Sequence, residues 1–297
     1  MRREQVLALL RLGRFRILPG GFLAYVLGAA MGYAQAGAMD WPRALRALVL
    51  TLIANLSAHY ADEYADVDTD SLTRRTWFSG GSGVLPSHVV PPSWALGMAW
   101  LCVGLVFVLG AWWITAGALP VACGWIVGIG MLGGWFYSMP PLAFERRGLG
   151  ELVNATIGSF LMPLMGYSAQ AGAPSLRAVW SLLPIFWIVM FSLLAVHWAD
   201  RAADQAVGKR SLAVLAGQRA RPLHIVLLSL CYLTALALTG PVLPSQVSIA
   251  VATKLPLAAW ATVTFGRDDS PVPSSLTMAA VIVAAAVGWV AAAPGFV

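Results

Sequence analysis

Charge is what this sequence has least of: 11% of its 297 residues are Asp, Glu, Lys or Arg, against 59% that are hydrophobic. Soluble domains carry roughly 25% charged residues, so an ordinary soluble fold is excluded. Cysteine is almost as sparse. Cys102, Cys123 and Cys231 lie inside apolar runs without metal-type spacing, which excludes both a disulfide framework and a zinc site. No soluble domain of useful size fits between the apolar runs. The N-terminus is basic, through Arg2, Arg3, Arg11, Arg14 and Arg16, but lacks a compact apolar core followed by a small-residue cleavage site. It reads as a cytoplasmic anchor and not as a removed signal. The net charge of +6 does not argue for nucleic acid as a partner, because the basic residues are scattered at the ends of apolar runs, where membrane topology places them.

What fills the chain is apolar helix-length sequence, with a mean hydropathy of +0.75. At ~20 residues per crossing, nine spans are predicted, near 17–37, 43–61, 93–116, 118–138, 149–170, 176–199, 220–243, 245–265 and 274–296. Pro, Gly or charge marks the breaks, as at Asp40-Trp41-Pro42, Pro140-Pro141, Gly172-Ala173-Pro174 and Asp268-Asp269-Ser270-Pro271. With the N-terminus inside, 15 Lys and Arg fall on inside segments and three on outside ones. The positive-inside bias therefore predicts an N-in, C-out topology. The expected fold is all-α: a polytopic membrane protein, one domain over 1–297, in a bacterial-type plasma membrane.

One pattern occurs twice. Residues 59–66 read His-Tyr-Ala-Asp-Glu-Tyr-Ala-Asp, and residues 197–204 read His-Trp-Ala-Asp-Arg-Ala-Ala-Asp. In a chain with only 13 acidic residues, Asp62, Asp66, Asp200 and Asp204 form two matched pairs, each closing an apolar run. On a helix, residues four apart share a face and residues three apart lie nearly on it, so each copy presents His, Asp and Asp as one polar stripe. Four predicted crossings separate the copies, which places both on the cytoplasmic face. The 138-residue offset between Asp62 and Asp200 reads as an internal repeat of two halves, with motifs at 55–70 and 197–210. Four buried carboxylates repel unless cations neutralise them. Magnesium is held by one or two carboxylates plus substrate phosphates, so two facing Asp pairs suit a diphosphate bridged by Mg²⁺. Basic residues on the same face match a diphosphate: Lys209 and Arg210 after the second pair, Arg74 and Arg75 after the first, and Arg146 and Arg147 between.

These motifs resemble the UbiA superfamily of intramembrane prenyltransferases. The resemblance covers most of the chain and rests on the first Asp motif and the Gly-Gly-Ser-Gly-Val-Leu-Pro stretch at 80–86. It rests equally on Tyr-Ser-Met-Pro-Pro at 137–141, Arg-Arg-Gly-Leu-Gly-Glu at 146–151 and the 200–214 segment that opens on Asp200-Arg201. It implies nine transmembrane helices and two Asp-rich motifs, Asp62 with Asp66 and Asp200 with Asp204, that bind Mg²⁺ and a polyprenyl diphosphate. It implies transfer of the prenyl group to an aromatic acceptor at a cytoplasmic-side site. Asn55 upstream, Asp68-Thr69 downstream, the 80–86 glycines and the Gly-Lys-Arg-Ser-Leu-Ala ending at 208–213 look most like the menaquinone branch, whose acceptor is 1,4-dihydroxy-2-naphthoate. The chain departs from the family pattern at Ala58-His59, where Asn-Asp is common, and at His197, where Asn is common. Ala143 and Glu145 stand where basic residues are usual.

The expected substrate-binding set is Asn55, His59, Arg74, Tyr137, Arg146, Arg147, Asn154, His197 and Lys209. Each histidine either contacts a metal-bound water or diphosphate oxygen, or replaces Asn in packing. Direct ligation suits it less, since Mg²⁺ prefers oxygen. Trp135, Phe136 and Tyr137 adjoin the inside end of the fourth predicted span, where ring faces would stabilise an allylic cation. Two alternatives stand beside aromatic prenylation. One is another reaction of the same type, namely terpene cyclisation or prenylation of a different acceptor. The other is transport, which the clustering of acids at one membrane face disfavours, since transporter sites lie near the midplane.

Overall fold

The computed structural model describes residues 3–72 and 81–293. Its helices in chain order are α1 (Arg3–Leu12), α2 (Leu18–Ala36), α3 (Trp41–Ala65), α4 (Val67–Leu72), α5 (Pro92–Thr115) and α6 (Val121–Ser138). They continue through α7 (Gly150–Thr156), α8 (Met162–Ala171), α9 (Leu176–Ser181), α10 (Leu183–Ala206) and α11 (Leu212–Ala216). The last four are α12 (Ala220–Leu238), α13 (Ser245–Ala252), α14 (Leu255–Thr264) and α15 (Val272–Ala291). No β-strand occurs among the described residues.

Among the described residues, six helical stretches are long and apolar enough to cross a membrane, and a seventh is formed if α13 and α14, bent by 43°, count as one span. The protein is an integral membrane protein. The other two predicted spans are helical but depart from that standard for visible reasons. Leu18–Ala36 is diluted by Gly20, Gly21, Gly28, Gly32 and two tyrosines. The stretch from α7 to α8 is interrupted by a π-helical segment at Ile157–Leu161. The prolines inside the predicted spans explain the segmentation. Pro19, Pro163, Pro184 and Pro256 each fall in the first turn of a helix. A missing N–H costs nothing there and the ring fixes a helical φ.

Helix ends follow local chemistry. The side chain of Asp40 caps α3 by accepting from the Arg43 N–H at 3.0 Å. Gly37 ends α2 in a left-handed conformation, φ 74°, that glycine adopts without strain.

In lipid the hydrophobic effect does not hold helices together, so small residues that let backbones approach are favoured at contacts. The tightest pairing, α2 against α8, is built this way. A Cβ on Gly28 would overlap the Pro163 carbonyl, and one on Gly166 would strike the backbone of Tyr25 and Ala29. Gly288 of α15 likewise lies on the backbone of Val247 in α13. Helix α3 packs on α5 and α6, and α10 on α12 and α15. The fully buried His224 is stacked between Phe191 and Phe265, with ring centroids 3.8 and 4.0 Å away, and its Nε2 lies 3.0 Å from Ser274 Oγ.

The C-terminal ends of α3, α6 and α10 and the start of α7 converge at one end of the bundle. Contacts of Asp62 with Ser138, Asp66 with Lys209 and Glu151 with His197 join them. At the other end, Asp40 N–H donates to Gln170 Oε1 at 2.7 Å and Arg177 Nε to the Val242 carbonyl at 3.2 Å.

Gly28→Ala should lower the thermal stability of the detergent-solubilised protein by about 1–3 kcal/mol or more, the cost of overpacking. Gly104→Ala, on a helix face open for a Cβ, should leave it unchanged. Equal melting temperatures for the two variants would show that the α2–α8 contact is loose.

Candidate functional site

At the converging end, the acidic residues lie on different elements. The last turn of α3 carries Asp62 and Glu63, its cap is Asp66, and α4 carries Asp70. A 3-10 turn over Phe144–Arg147 carries Glu145, the first turn of α7 carries Glu151, and α10 carries His197, Asp200 and Asp204. The chain then turns at Gly208, φ 74°, and brings Lys209 back into the bundle.

Arg14 and Lys209 pair with five of these acids. Arg14 sits in a left-handed backbone conformation, φ 46°, just after α1. Its Nη1 contacts Asp62 Oδ2 at 2.6 Å, its Nε contacts Glu63 Oε1, and its Nη2 lies 3.3 Å from Asp70 Oδ2. Asp62 also accepts from the Ser138 hydroxyl. Glu63 accepts from both the Ser82 N–H and the Ser82 hydroxyl, each at 2.6 Å. Gly81, φ 61°, passes so close that a Cβ there would overlap the Asp70 carboxylate, and Arg16 donates to its carbonyl at 3.0 Å. Gly81 therefore lets the chain fold over the ion pairs.

The second cation is Lys209. Its Nζ lies 2.8 Å from Asp66 Oδ2 and 2.8 Å from Glu145 Oε2, and all three side chains are at most 10% exposed. Burial and the neighbouring Asp62 charge push the Asp66 carboxyl up, with Lys209 opposing. Burial and Asp66 do the same to Glu145. Burial opposes the charge on Lys209, yet Asp66 and Glu145 outweigh it and hold the ammonium more firmly protonated than a free lysine. Burial pushes the Asp70 carboxyl up to about 7, with Arg14 partly offsetting.

One oxygen from each of Asp62, Asp66 and Glu145 lies within 4.8 Å of the other two. Asp66 Oδ1 and Glu145 Oε1 are buried without a hydrogen-bond partner among the described residues. An all-oxygen donor set with unused buried acceptors fits a hard divalent cation such as Mg²⁺.

A third link positions the second motif. Glu151, 2% exposed, contacts His197 Nδ1 and accepts from the Leu212 N–H at 2.6 Å through the same oxygen. One carboxylate thereby ties α7 to α10 and to the chain that follows Lys209.

The predicted residues divide accordingly. Asp62, Asp66, His197 and Lys209 are joined by these contacts. Asp204 is buried, and its carbonyl accepts from the Lys209 N–H at 2.8 Å. Asp200 is half-buried on the same helix. The segment of the second motif reaches Asp66 through Lys209, and Glu145 joins Asp62 and Asp66 as a third carboxylate. His59 is half-buried one turn before Asp62, with a buried Nε2. Asn55 lies a turn deeper, its amide against Gly21 of α2. The Tyr137 ring packs near Gly150, beside Glu145. Arg146 and Arg147 are exposed and donate to the carbonyls of Ala65, at 3.4 Å, and Pro141, at 2.7 Å. Asn154 is exposed on α7. Trp135 packs on Trp100 at 4.5 Å between ring centroids, which gives it a helix-packing role. Arg74 lies outside the described residues.

The sequence reading passed over Arg14, Glu63, Ser82, Ser138, Glu145 and Glu151 as site residues. A signal existed for the acids, since any acid in so apolar a chain needs a partner. Nothing in the spacing linked Arg14 to Asp62.

Fold and site define a polytopic membrane protein that gathers carboxylates, a lysine and an arginine at one end of an apolar bundle. The profile of the UbiA prenyltransferase family matches residues 22–274, and the chain belongs to that family. It is a prenyltransferase. Solved structures share the fold at low identity. A digeranylgeranylglyceryl phosphate synthase is 16% identical, with a TM-score of 0.65 over 97% of this chain and 99% of that one. A UbiA homologue from Archaeoglobus fulgidus bound to DMAPP and Mg²⁺ is 15% identical, with a TM-score of 0.67 over 94% and 99%. An apo UbiA homologue from Aeropyrum pernix K1 is 16% identical, with a TM-score of 0.68 over 90% and 96%. No curated protein matches the chain significantly.

Two outcomes test this geometry. Glu151→Ala should raise amide hydrogen exchange from Lys209 through Leu212, because the Leu212 N–H loses its acceptor at a cost of about 1–3 kcal/mol. Unchanged exchange there would show that the turn is held by other contacts. For Asp70, a folded value near 7 against an ordinary value of 3.8 means that folding takes up a proton. Its contribution to stability is complete below about pH 4 and is lost as pH rises through about 7. Asp70→Asn should flatten the stability profile across that window in thermal unfolding, and an unaltered slope would place the proton elsewhere.

Proposed function

We propose that the chain transfers a polyprenyl group from a prenyl diphosphate to an aromatic acceptor, with 1,4-dihydroxy-2-naphthoate as the acceptor and menaquinone biosynthesis as the role. The observation that carries prenyl-diphosphate use is the Lys209 bridge: a buried ammonium between Asp66 and Glu145, beside Asp62 and Arg14, at the mouth of an apolar bundle. A diphosphate needs positive charge, which Lys209 and Arg14 supply, and an isoprenoid tail needs apolar surroundings, which a membrane-spanning bundle supplies. The Archaeoglobus homologue, bound to DMAPP or GPP with Mg²⁺, supports the substrate class. The naphthoate acceptor rests on the resemblance of residues 55–70, 80–86 and 208–213 to the menaquinone branch.

In this reading Asp62, Asp66, Asp200 and Asp204 hold Mg²⁺ with the diphosphate. Bound Mg²⁺ neutralises the diphosphate and stabilises it as a leaving group. Lys209 binds the diphosphate oxygens, with Arg146 and Arg147 on the exposed rim; Arg74 is assigned the same role from its place in the sequence. Ser138 orients Asp62 through its hydroxyl, and Glu151 orients His197 and the Lys209 turn. Asn55 and His59 line the α3 face below the acids, and Tyr137 and Asn154 flank it, where the prenyl chain and acceptor ring would meet. The apolar walls exclude water, so the acceptor carbon and not hydroxide captures the prenyl cation.

The arrangement in the membrane belongs to the same reading. Helices α2, α3, α5, α6, α7 with α8, α9 with α10, α12, α13 with α14, and α15 make nine crossings, N-in and C-out, with the site on the cytoplasmic side. The 15-to-3 distribution of Lys and Arg supports this. The two motif copies end equivalent helices of two related halves.

Membranes containing the protein, given radiolabelled geranylgeranyl diphosphate, Mg²⁺ and 1,4-dihydroxy-2-naphthoate, should yield a prenylated naphthoate. Chelation of Mg²⁺ or Asp62→Ala or Asp200→Ala should abolish it, a loss of 100-fold or more. Product only with 4-hydroxybenzoate or a glycerol phosphate acceptor would replace the naphthoate reading. Full activity in both Asp variants would remove the motifs from the reaction.

A further inference from the structure

Glu145 and Lys209 support an assignment beyond phosphate binding. The Lys209 ammonium lies 2.8 Å from an oxygen of Asp66 and 2.8 Å from one of Glu145, and the three side chains are buried. Each carboxylate keeps a second buried oxygen, Asp66 Oδ1 and Glu145 Oε1, without a hydrogen-bond partner among the described residues. Glu145 and Asp66 are 6% and 7% exposed, so water does not satisfy those oxygens freely. Leaving such acceptors unmet is costly. With Asp62, the two carboxylates set three oxygens within 4.8 Å of one another. Opposite ligands of a magnesium ion, at 2.0–2.1 Å each, stand about 4.2 Å apart. Adjacent ligands stand about 2.9 Å apart, so side-chain movements of up to about 2 Å close the three oxygens around one cation.

We propose that Glu145 is the third carboxylate of a divalent-cation site with Asp62 and Asp66, and that Lys209 guards this site in cation-free protein. The lysine and the metal answer the same requirement, compensation of buried negative charge, and they share ligands. Entry of the cation releases the ammonium from Asp66 and Glu145. Lys209 is then free to bind the diphosphate beside the metal it made way for. The exchange links metal loading to substrate capture. Glu145 is decisive because it lies on the 3-10 turn between α6 and α7, outside both Asp motifs, and it shares Lys209 with Asp66.

This rests on the prenyl-diphosphate reading for the destination of Lys209, but not for the metal ligands. The test is Mn²⁺ binding by the full chain in detergent without substrate, followed by electron paramagnetic resonance and by the Mn²⁺-induced rise in melting temperature. Glu145→Gln, which keeps size but loses charge, should weaken Mn²⁺ binding tenfold or more, and Glu145→Asp should restore part of it. Lys209→Met should melt lower without metal and bind Mn²⁺ more tightly than the parent, with a larger Mn²⁺-induced shift. The same variant should bind geranylgeranyl diphosphate more weakly in the presence of Mn²⁺. Unchanged Mn²⁺ affinity in Glu145→Gln, weaker Mn²⁺ binding in Lys209→Met, or no Mn²⁺ binding by the parent would overturn the proposal. Asp62→Asn separates it from the enzymatic reading. Loss of Mn²⁺ binding in Asp62→Asn but not in Glu145→Gln sinks the role of Glu145 alone. Mn²⁺ binding that depends on Glu145, without any prenyl transfer, sinks the reaction and leaves the site standing.

Discussion

The structure depends on how charge is compensated where water is scarce. Carboxylates in an apolar bundle are tolerated only when cations and hydrogen-bond donors meet them. Here the compensation is shared: Arg14 serves Asp62, Glu63 and Asp70, and Lys209 serves Asp66 and Glu145. Removing one partner of such a pair costs about 3–5 kcal/mol, because the other charge is left buried. This forces distant parts of the chain together. The segment after α1, the loop at 81–82, the end of α6 and the turn after α10 are all fastened to the end of α3 through ionic or hydrogen-bonded contacts. The acids gathered there are thus the fastening of that end of the bundle.

The remainder of the bundle is organised by the opposite device, absence of side chain. Gly28 and Gly166 let α2 and α8 touch at the backbone, and Gly288 does so for α15 on α13. Such contacts replace the hydrophobic effect, which lipid removes as a force between helices. Prolines at the starts of α2, α8, α10 and α14 punctuate the chain without leaving donors unmet. A rigid apolar body joined to a charged end suits a substrate with a long hydrocarbon tail and an anionic head.

Several features were legible from residues alone. Composition and long apolar runs gave an all-helical membrane protein, and the predicted spans coincide within a few residues with helical stretches such as Pro92–Thr115 and Val121–Ser138. The repeated His-aromatic-Ala-Asp-x-x-Ala-Asp pattern pointed to helix ends, and both copies lie on or at the end of α3 and α10. Lys209, expected to bind a diphosphate, is buried between Asp66 and Glu145. The pairing partners were not legible. Glu145 was visible only as an acid where the family commonly has a base, and Arg14 looked like one more charge in a basic anchor. Asn154 looked like a polar residue inside a bundle and is exposed.

The division has a physical basis. Helix type, helix ends and the face shared by His59, Asp62 and Asp66 follow from interactions a few residues apart, and the sequence determines those by itself. Which cation meets which carboxylate depends on pairs 48 and 143 positions apart, Arg14 with Asp62 and Lys209 with Asp66. Those distances are closed by helix packing, by the turn at Gly208 and by the loop that Gly81 allows over Asp70. Only the tertiary structure decided that the second motif meets the first through a lysine, and that an acid outside both motifs completes the group.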